Sequence, residues 1–357
     1  MINLDNKEEI IKMHGSDNIT ISIDSLPKQL EHSFIDASKI IFPDDFKHIS
    51  NIVVAGMGGS RFPALIIKEL FKQEITIPIQ INDDYHLPGF VNSNTLVILS
   101  SYSGTTEEVI AMGLEAQKKG VKLTGICAGG EVETFLKGIH APLYVFDPIY
   151  NPSKQPRIGF GYAIGGLLGI LTQLGVIQIN PQEILVAIHD LPNLIEEYKI
   201  HTPKETNPAK QLAEQLYQKY PYYIVSEFLT GVGNAIQNQT NETAKQIASY
   251  RIIPELNHHL MEGLQYPDGL KEMGIFVFFY SKNYSPSIQK RFSITKDVVE
   301  QNKLKTIWHE LKGETKIKTT FELMALGSYI SMYLASIYGV NPAEIPFVNY
   351  FKDQLKK

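Results

Sequence analysis

A chain of 357 residues, 43% hydrophobic and 20% charged, can bury a large core, and its length predicts two domains. A net charge of −5 argues against a surface that coats a polyanion, so nucleic acid is not expected as a partner, while a local anion site built from amides and hydroxyls stays open. The single cysteine, Cys127, excludes an internal disulfide and a cysteine metal cluster, and at the end of the strand-like run "VKLTGIC" it reads as a buried packing thiol.

The opening "MINLDNKEEIIKMHG" is acidic and polar and lacks the charged-then-apolar layout of a signal peptide, so a cytoplasmic location is expected. Short β-branched runs follow, "NIVVAG" (51–56), "TLVILS" (95–100), "KLTGIC" (122–127) and "PLYVFD" (142–147), each of which predicts a buried strand. Between them "RFPALIIKELFKQ" (61–73) and "TEEVIAMGLEAQKKG" (106–120) have helical spacing, the second closed by Gly120. The uncharged stretch "IGFGYAIGGLLGILTQLGVIQI" (158–179) barely reaches spanning length and carries six glycines. It reads as a helix buried between domains, and no membrane association is expected.

A second series begins near Pro221: "YYIVSEF" (222–228) as a strand, "NAIQNQTNETAKQIA" (234–248) as a polar helix, "IFVFFY" (275–280) as a strand, and "FELMALGSYISMYLASIYG" (321–339) as a long, nearly uncharged helix. The fold class expected is α/β, with two tandem doubly wound parallel sheets flanked by helices, a diverged internal duplication. The units are placed at 1–180 and 207–357, joined by a linker at about 181–206. Ligands in such sheets sit beyond the carboxyl ends of the strands, and two units also create a cleft between them.

In "VVAGMGGSRFPA", Gly56, Gly58 and Gly59 follow a strand and Ser60 opens a helix, which suits either a tight turn or close approach of the backbone to an anion. The third glycine of a dinucleotide fingerprint is replaced by Arg61. "LSSYSGTTEEV" then sets Ser101, Ser103, Thr105 and Thr106 around Gly104. Ser101 or Ser103 can cap the next helix, with Thr106 or Glu107 completing a capping box, but a cap uses one hydroxyl and four are present. The surplus suits a phosphate, and without a Walker lysine a phosphate monoester is the better ligand than a nucleoside triphosphate.

"SYSGTTEE" (101–108 with its leading serine) resembles the signature of sugar isomerase (SIS) domains, and "GMGGS" resembles the companion turn. "QPRIGFGY" (155–162), "NETAK" (241–245), "PELNHH" (254–259) and "GVNPAEIPFVNYFKDQL" (339–355) resemble, in that order, motifs of the bifunctional phosphoglucose/phosphomannose isomerases. The resemblance implies two SIS domains and an aldose–ketose isomerase that needs no metal or other cofactor. Its substrates would be glucose 6-phosphate, and mannose 6-phosphate as well, exchanged with fructose 6-phosphate.

It also implies a phosphate site at Gly59, Ser60, Ser101, Ser103 and Thr106, with Glu242 as the base that moves a proton between adjacent carbons. Arg157 would stabilise the enediolate, a task suited to a cation that keeps its proton. His258 and Lys352 would open the sugar ring, with His258 reaching the neighbouring site of a homodimer. Taken singly, Glu242 is a solvated helix carboxylate, Arg157 an interdomain ion-pair partner, and Lys352 an exposed terminal lysine like Lys356 and Lys357. The pair His258–His259 offers a metal reading, but no third ligand stands at the required spacing. The sequence departs from the family at Arg61, Thr105, Gln237, His259 and Ala343, the last lacking a hydroxyl that bears on the balance between the two sugars. A non-catalytic phosphosugar sensor or an isomerase of another phosphosugar remain as alternatives; a sensor would be marked by loss of Glu242, Arg157 or His258, and all three are present.

Overall fold

The computed structural model describes residues 2–355; Lys356 and Lys357 lie outside the described residues. Three helices come first, α1 (Lys7–His14), α2 (Asn18–Asp24) and α3 (Leu26–Ala37). An α/β series follows: β1 (Asn51–Gly56), α4 (Phe62–Leu70), β2 (Ile79–Asn82), β3 (Thr95–Ser100), α5 (Glu107–Lys118), β4 (Lys122–Cys127), α6 (Gly130–Gly138), β5 (Leu143–Val145) and α7 (Gly161–Gln173). These five strands form one parallel sheet in the order β2-β1-β3-β4-β5. β1, β3 and β4 occupy the residues that their apolar runs predict, because strands covered on both faces must be apolar throughout.

The chain continues through α8 (Pro181–Ile195), α9 (Pro208–Leu216), β6 (Tyr220–Ser226), α10 (Thr230–Thr243), β7 (Ser249–Ile253), α11 (Leu270–Met273), β8 (Gly274–Tyr280), α12 (Pro286–Gln301), β9 (Lys305–Glu310), α13 (Lys316–Tyr338) and α14 (Pro346–Leu355). The second sheet is also parallel, in the order β7-β6-β8-β9. The stretch 181–206 is more than a connector, since α8 buries Ile184, Ile188 and Leu191 and packs on α13 and α3. α13 is sunk in the protein, with twenty of its residues buried, and touches α9, α10, α8 and α2. Its one internal carboxylate, Glu322, accepts hydrogen bonds from the amides of Lys312 and Gly313 and from the Tyr198 hydroxyl, which offsets the cost of burial.

The glycine-rich stretch is a helix, α7, but it is not buried between the two sheets' units. It lies between α3 and the first sheet. Gly161, Gly165 and Gly169 form one face on which a Cβ would collide with Gln29, Ser33 and Ala37 of α3, while a Cβ on Gly166 would meet Tyr144 of β5. Residues four apart share a helix face, so the spacing of these glycines lets two helix backbones touch. Among the described residues no helix is long and apolar enough to cross a membrane. Cys127 is buried, and burial pushes its thiol pKa up.

Candidate active site

The carboxyl ends of β1, β3 and β5 turn into three loops that meet. After β1 the backbone passes Gly58 at φ +48° and makes a 3-10 turn over Gly58–Ser60. After β3 the chain crosses Gly104 at φ +71°, where a Cβ would collide with the carbonyl oxygen of Gly129, so only glycine fits this turn. The two loops are tied together: the Tyr102 amide donates to Ser60 Oγ at 2.9 Å, and Ser100 Oγ donates to the Ser60 carbonyl at 2.9 Å. The third loop runs against the first, for a Cβ on Gly59 would stand 3.2 Å from the Arg157 amide nitrogen.

The hydroxyl cluster does not cap its helix. Thr106 occupies the N-cap of α5 without a side-chain hydrogen bond to the first turn. Instead Ser101 Oγ pairs with Thr106 Oγ1 at 2.7 Å and accepts from the Gly104 amide, while Ser103 Oγ pairs with Thr105 Oγ1 at 3.0 Å. The hydroxyls bond one another around the turn, so the expected capping box is absent. The amides of Glu107, Glu108 and Val109 find no acceptor among the described residues. A turn with paired hydroxyls above a helix N-terminus with free donors is suited to a phosphate.

Arg157, whose amide adjoins Gly59 of the turn after β1, is 2% exposed. Its guanidinium donates to Thr243 Oγ1 (3.2 Å), Gln155 Oε1 (2.8 Å), and the carbonyls of Pro342 (2.6 Å) and Ala343 (3.1 Å). Nη1 stands 3.6 Å from Glu242 Oε2. Burial pulls the guanidinium pKa down and the Glu242 carboxylate opposes it, and from a starting value this high the group stays charged. α10 supplies three contacts from one face: Gln239 donates to the Arg157 carbonyl and to Ser328 of α13, Thr243 accepts from Nε, and Glu242 presents its carboxylate. Positions i, i+3 and i+4 lie together on a helix, which is why these polar residues converge. The Glu242 side chain is 34% exposed, so solvent or substrate reaches it.

A buried cation with a half-open carboxylate against it, beside the Gly58–Ser60 turn, can accept a proton and stabilise the oxyanion that results. Residues 205–355 match the family described as bacterial phospho-glucose isomerase C-terminal SIS domain. A protein of Caldicellulosiruptor bescii named bifunctional phosphoglucose/phosphomannose isomerase is 31% identical over 341 residues, covering 94% of this chain and 98% of that protein. The chain belongs to the bifunctional phosphoglucose/phosphomannose isomerase family. A protein of the same name from Aquifex aeolicus is 26% identical, covering 88% of this chain and 92% of its own. Among solved structures, the hypothetical protein TT0462 of Thermus thermophilus superposes with a TM-score of 0.74 at 13% identity, over 98% of this chain and 92% of that one, and shares the fold.

The other two residues that the isomerase family points to are placed elsewhere in the chain. His258 closes a 3-10 turn (Glu255–His258) and is exposed. It follows the carboxyl end of β7, whereas Glu242 sits at the end of α10 that leads into the opposite end of that strand. Five strand residues, on the order of 15 Å, therefore separate their levels within one chain. Lys352 is exposed on α14, a helix that buries none of its residues. No group of three or more potential metal-ligating side chains occurs among the described residues.

The departures from the family pattern have definite partners. Arg61 Nε stands 2.7 Å from Asp83 Oδ2, so its guanidinium is engaged beyond the end of β2. The Gln237 carboxamide oxygen accepts from the Tyr250 amide of β7 and is structural. Ala343 contributes its carbonyl to Arg157 even though it lacks the hydroxyl. His259 Nε2 lies 3.8 Å from Glu255 Oε1. Lys245, quoted in the sequence only as part of a motif, is a site residue that sequence reasoning missed. Its Nζ donates to the Glu242 carbonyl at 2.7 Å, and no spacing rule would have indicated a side chain that turns back on its own helix.

Proposed function

We propose that the protein interconverts glucose 6-phosphate and mannose 6-phosphate with fructose 6-phosphate through a cis-enediolate. The observation that carries this is the Arg157–Glu242 pair beside the Gly58–Ser60 turn. Gly59, Ser60, Ser101, Ser103 and Thr106 receive the phosphate, and that binding energy positions the sugar carbons at Glu242. Glu242 takes the proton from C2 of the aldose and returns it to C1, and Arg157 stabilises the charge on the intervening oxygens. The reaction moves the C2 proton to C1, a hydroxyl proton from O2 to O1, and one electron pair between the two carbons, so it balances without a cofactor.

The active unit in this reading is a homodimer, formed in the cytoplasm. His258 and Lys352 complete the site from a second copy, where they open the sugar ring. Two facts support this: His258 and Glu242 lie at opposite ends of β7 in one chain, and α14 displays Phe347, Tyr350 and Phe351 at 60% exposure or more around Lys352. Such a cluster of exposed rings is suited to burial against another surface. The division of the chain into units at 1–180 and 207–357 belongs to the same proposal.

Glu242→Gln is the test. It keeps the shape of the side chain, so phosphosugar affinity is expected to change less than about threefold, while exchange of deuterium from C2-labelled glucose 6-phosphate and mannose 6-phosphate falls by about four orders of magnitude, the upper range for a single acid–base group. Wild-type turnover by the variant would sink the proposal.

A further inference from the structure

Lys245 is an ionisable group at the site that the reaction above does not use. It stands two residues beyond α10 with φ +57°, a left-handed conformation that a residue with a Cβ rarely adopts. That conformation turns the side chain back, and Nζ donates to the carbonyls of Glu242 at 2.7 Å and Thr243 at 3.3 Å. Carbonyls in the last turn of a helix run out of intrahelical partners and carry its negative end, so an ammonium there is well placed. The two residues it grips are the two that meet Arg157, Glu242 through its carboxylate and Thr243 through its hydroxyl.

We infer that Lys245 is a positioning residue whose ammonium fixes the last turn of α10 and thereby the angle at which Glu242 faces Arg157 and the reacting carbons. The inference rests on the isomerase reading above. Three charged groups face Lys245: Arg157 from the loop after β5, Glu242 on α10, and Glu344 from the segment before α14. Burial lowers the Lys245 pKa to about 8, the charge of Arg157 acts in the same direction, and the two carboxylates oppose them. The clamp is therefore charged at neutral pH and loses its charge as pH rises through about 8. An alkaline decline in kcat follows, with little change in KM, because Lys245 bonds the carbonyls of Glu242 and Thr243 and none of the phosphate-turn residues.

The test compares the full-length wild type with Lys245→Met and Lys245→Arg, measuring kcat and KM for glucose 6-phosphate between pH 6 and 10 alongside thermal unfolding. Lys245→Met is expected to lose about tenfold or more in kcat, as misplacement of a reacting group does, with KM within about threefold and the decline near pH 8 gone. Lys245→Arg, which keeps its charge, is expected to recover most of kcat and to move the decline above pH 9. A methionine variant with wild-type kcat and pH profile overturns the inference, as does an arginine variant whose decline stays near pH 8. If the methionine variant does not fold, the arginine profile decides alone. In both of those outcomes the wild type still isomerises the sugar; a wild type that isomerises none of the three sugars removes the isomerase reading and this inference with it.

Discussion

The turns after β1 and β6 begin alike and end differently. Each has a residue with positive φ, Gly58 at +48° and Glu227 at +42°, and each passes through a 3-10 turn into a helix, α4 or α10. In the first sheet that residue has no side chain, and the N-terminus of α5 after the neighbouring strand β3 has no side-chain cap. In the second sheet Glu227 sends its carboxylate to the amide (3.2 Å) and hydroxyl (2.6 Å) of Ser285, immediately before α12 and after the neighbouring strand β8. The first sheet leaves the amides at the start of α5 without acceptors among the described residues, whereas the second partly closes the start of α12 from within, at the Ser285 amide and hydroxyl, although α12 likewise has no side-chain cap.

The sharpest way to break this contrast is at Gly104. Any side chain there meets the Gly129 carbonyl and must also adopt φ +71°, so Gly104→Ala is expected to cost roughly 3 kcal/mol or more and to abolish measurable phosphosugar binding. Thermal unfolding with titration calorimetry checks both, and wild-type values would mean that the turn is not the ligand's cradle. A gentler change removes one hydroxyl. Ser101→Ala or Thr106→Val is expected to weaken binding about tenfold, since a hydrogen bond to a charged group is worth about 1.5–3 kcal/mol, with kcat nearly constant. Equal KM values in variant and wild type would count against a phosphate at that turn.

The smallest effect belongs to the closed end. Glu227→Ala loses the two bonds to Ser285 and keeps the unfavourable φ, while Glu227→Gly loses the bonds and relieves the backbone. The glycine variant is expected to be the more stable of the two by about 1 kcal/mol, and neither should alter KM. Denaturant melts and steady-state kinetics distinguish the cases, and a raised KM in either variant would make the second end a binding site after all.

Strands buried on both faces were the most legible elements. β1, β3 and β4 are uninterrupted apolar runs, and their limits can be read off the residues. β7, with four of five residues only half buried, and β9, with mixed polarity, carry no such run and are recognisable only beside β6 and β8. α10 begins four residues before its polar pattern predicts and ends five residues before it, where Lys245 leaves the helix to bond the carbonyls of its last turn. For α7 the helix was legible but its neighbour was not, although Gly161, Gly165 and Gly169 at intervals of four mark a face made for another backbone. Of the site, the glycine and serine turns and the motif residues Arg157 and Glu242 were legible. That Ser101 bonds Thr106 instead of the helix amides was not, because a hydroxyl's choice among nearby partners depends on backbone angles that composition leaves open.

The grip of Pro342 and Ala343 on Arg157 spans 185 and 186 residues of chain, and it has a consequence for biosynthesis. When the first sheet leaves the ribosome its phosphate turn can form, but Arg157 is then a bare cation with no carboxylate opposite and no carbonyls to aim it. Residues 239–243 must follow to supply Glu242, and residues 342 and 343 must follow those to lock the guanidinium. In the proposed reading, the turn that receives the phosphate is therefore synthesised before the residues that supply the base and aim the cation.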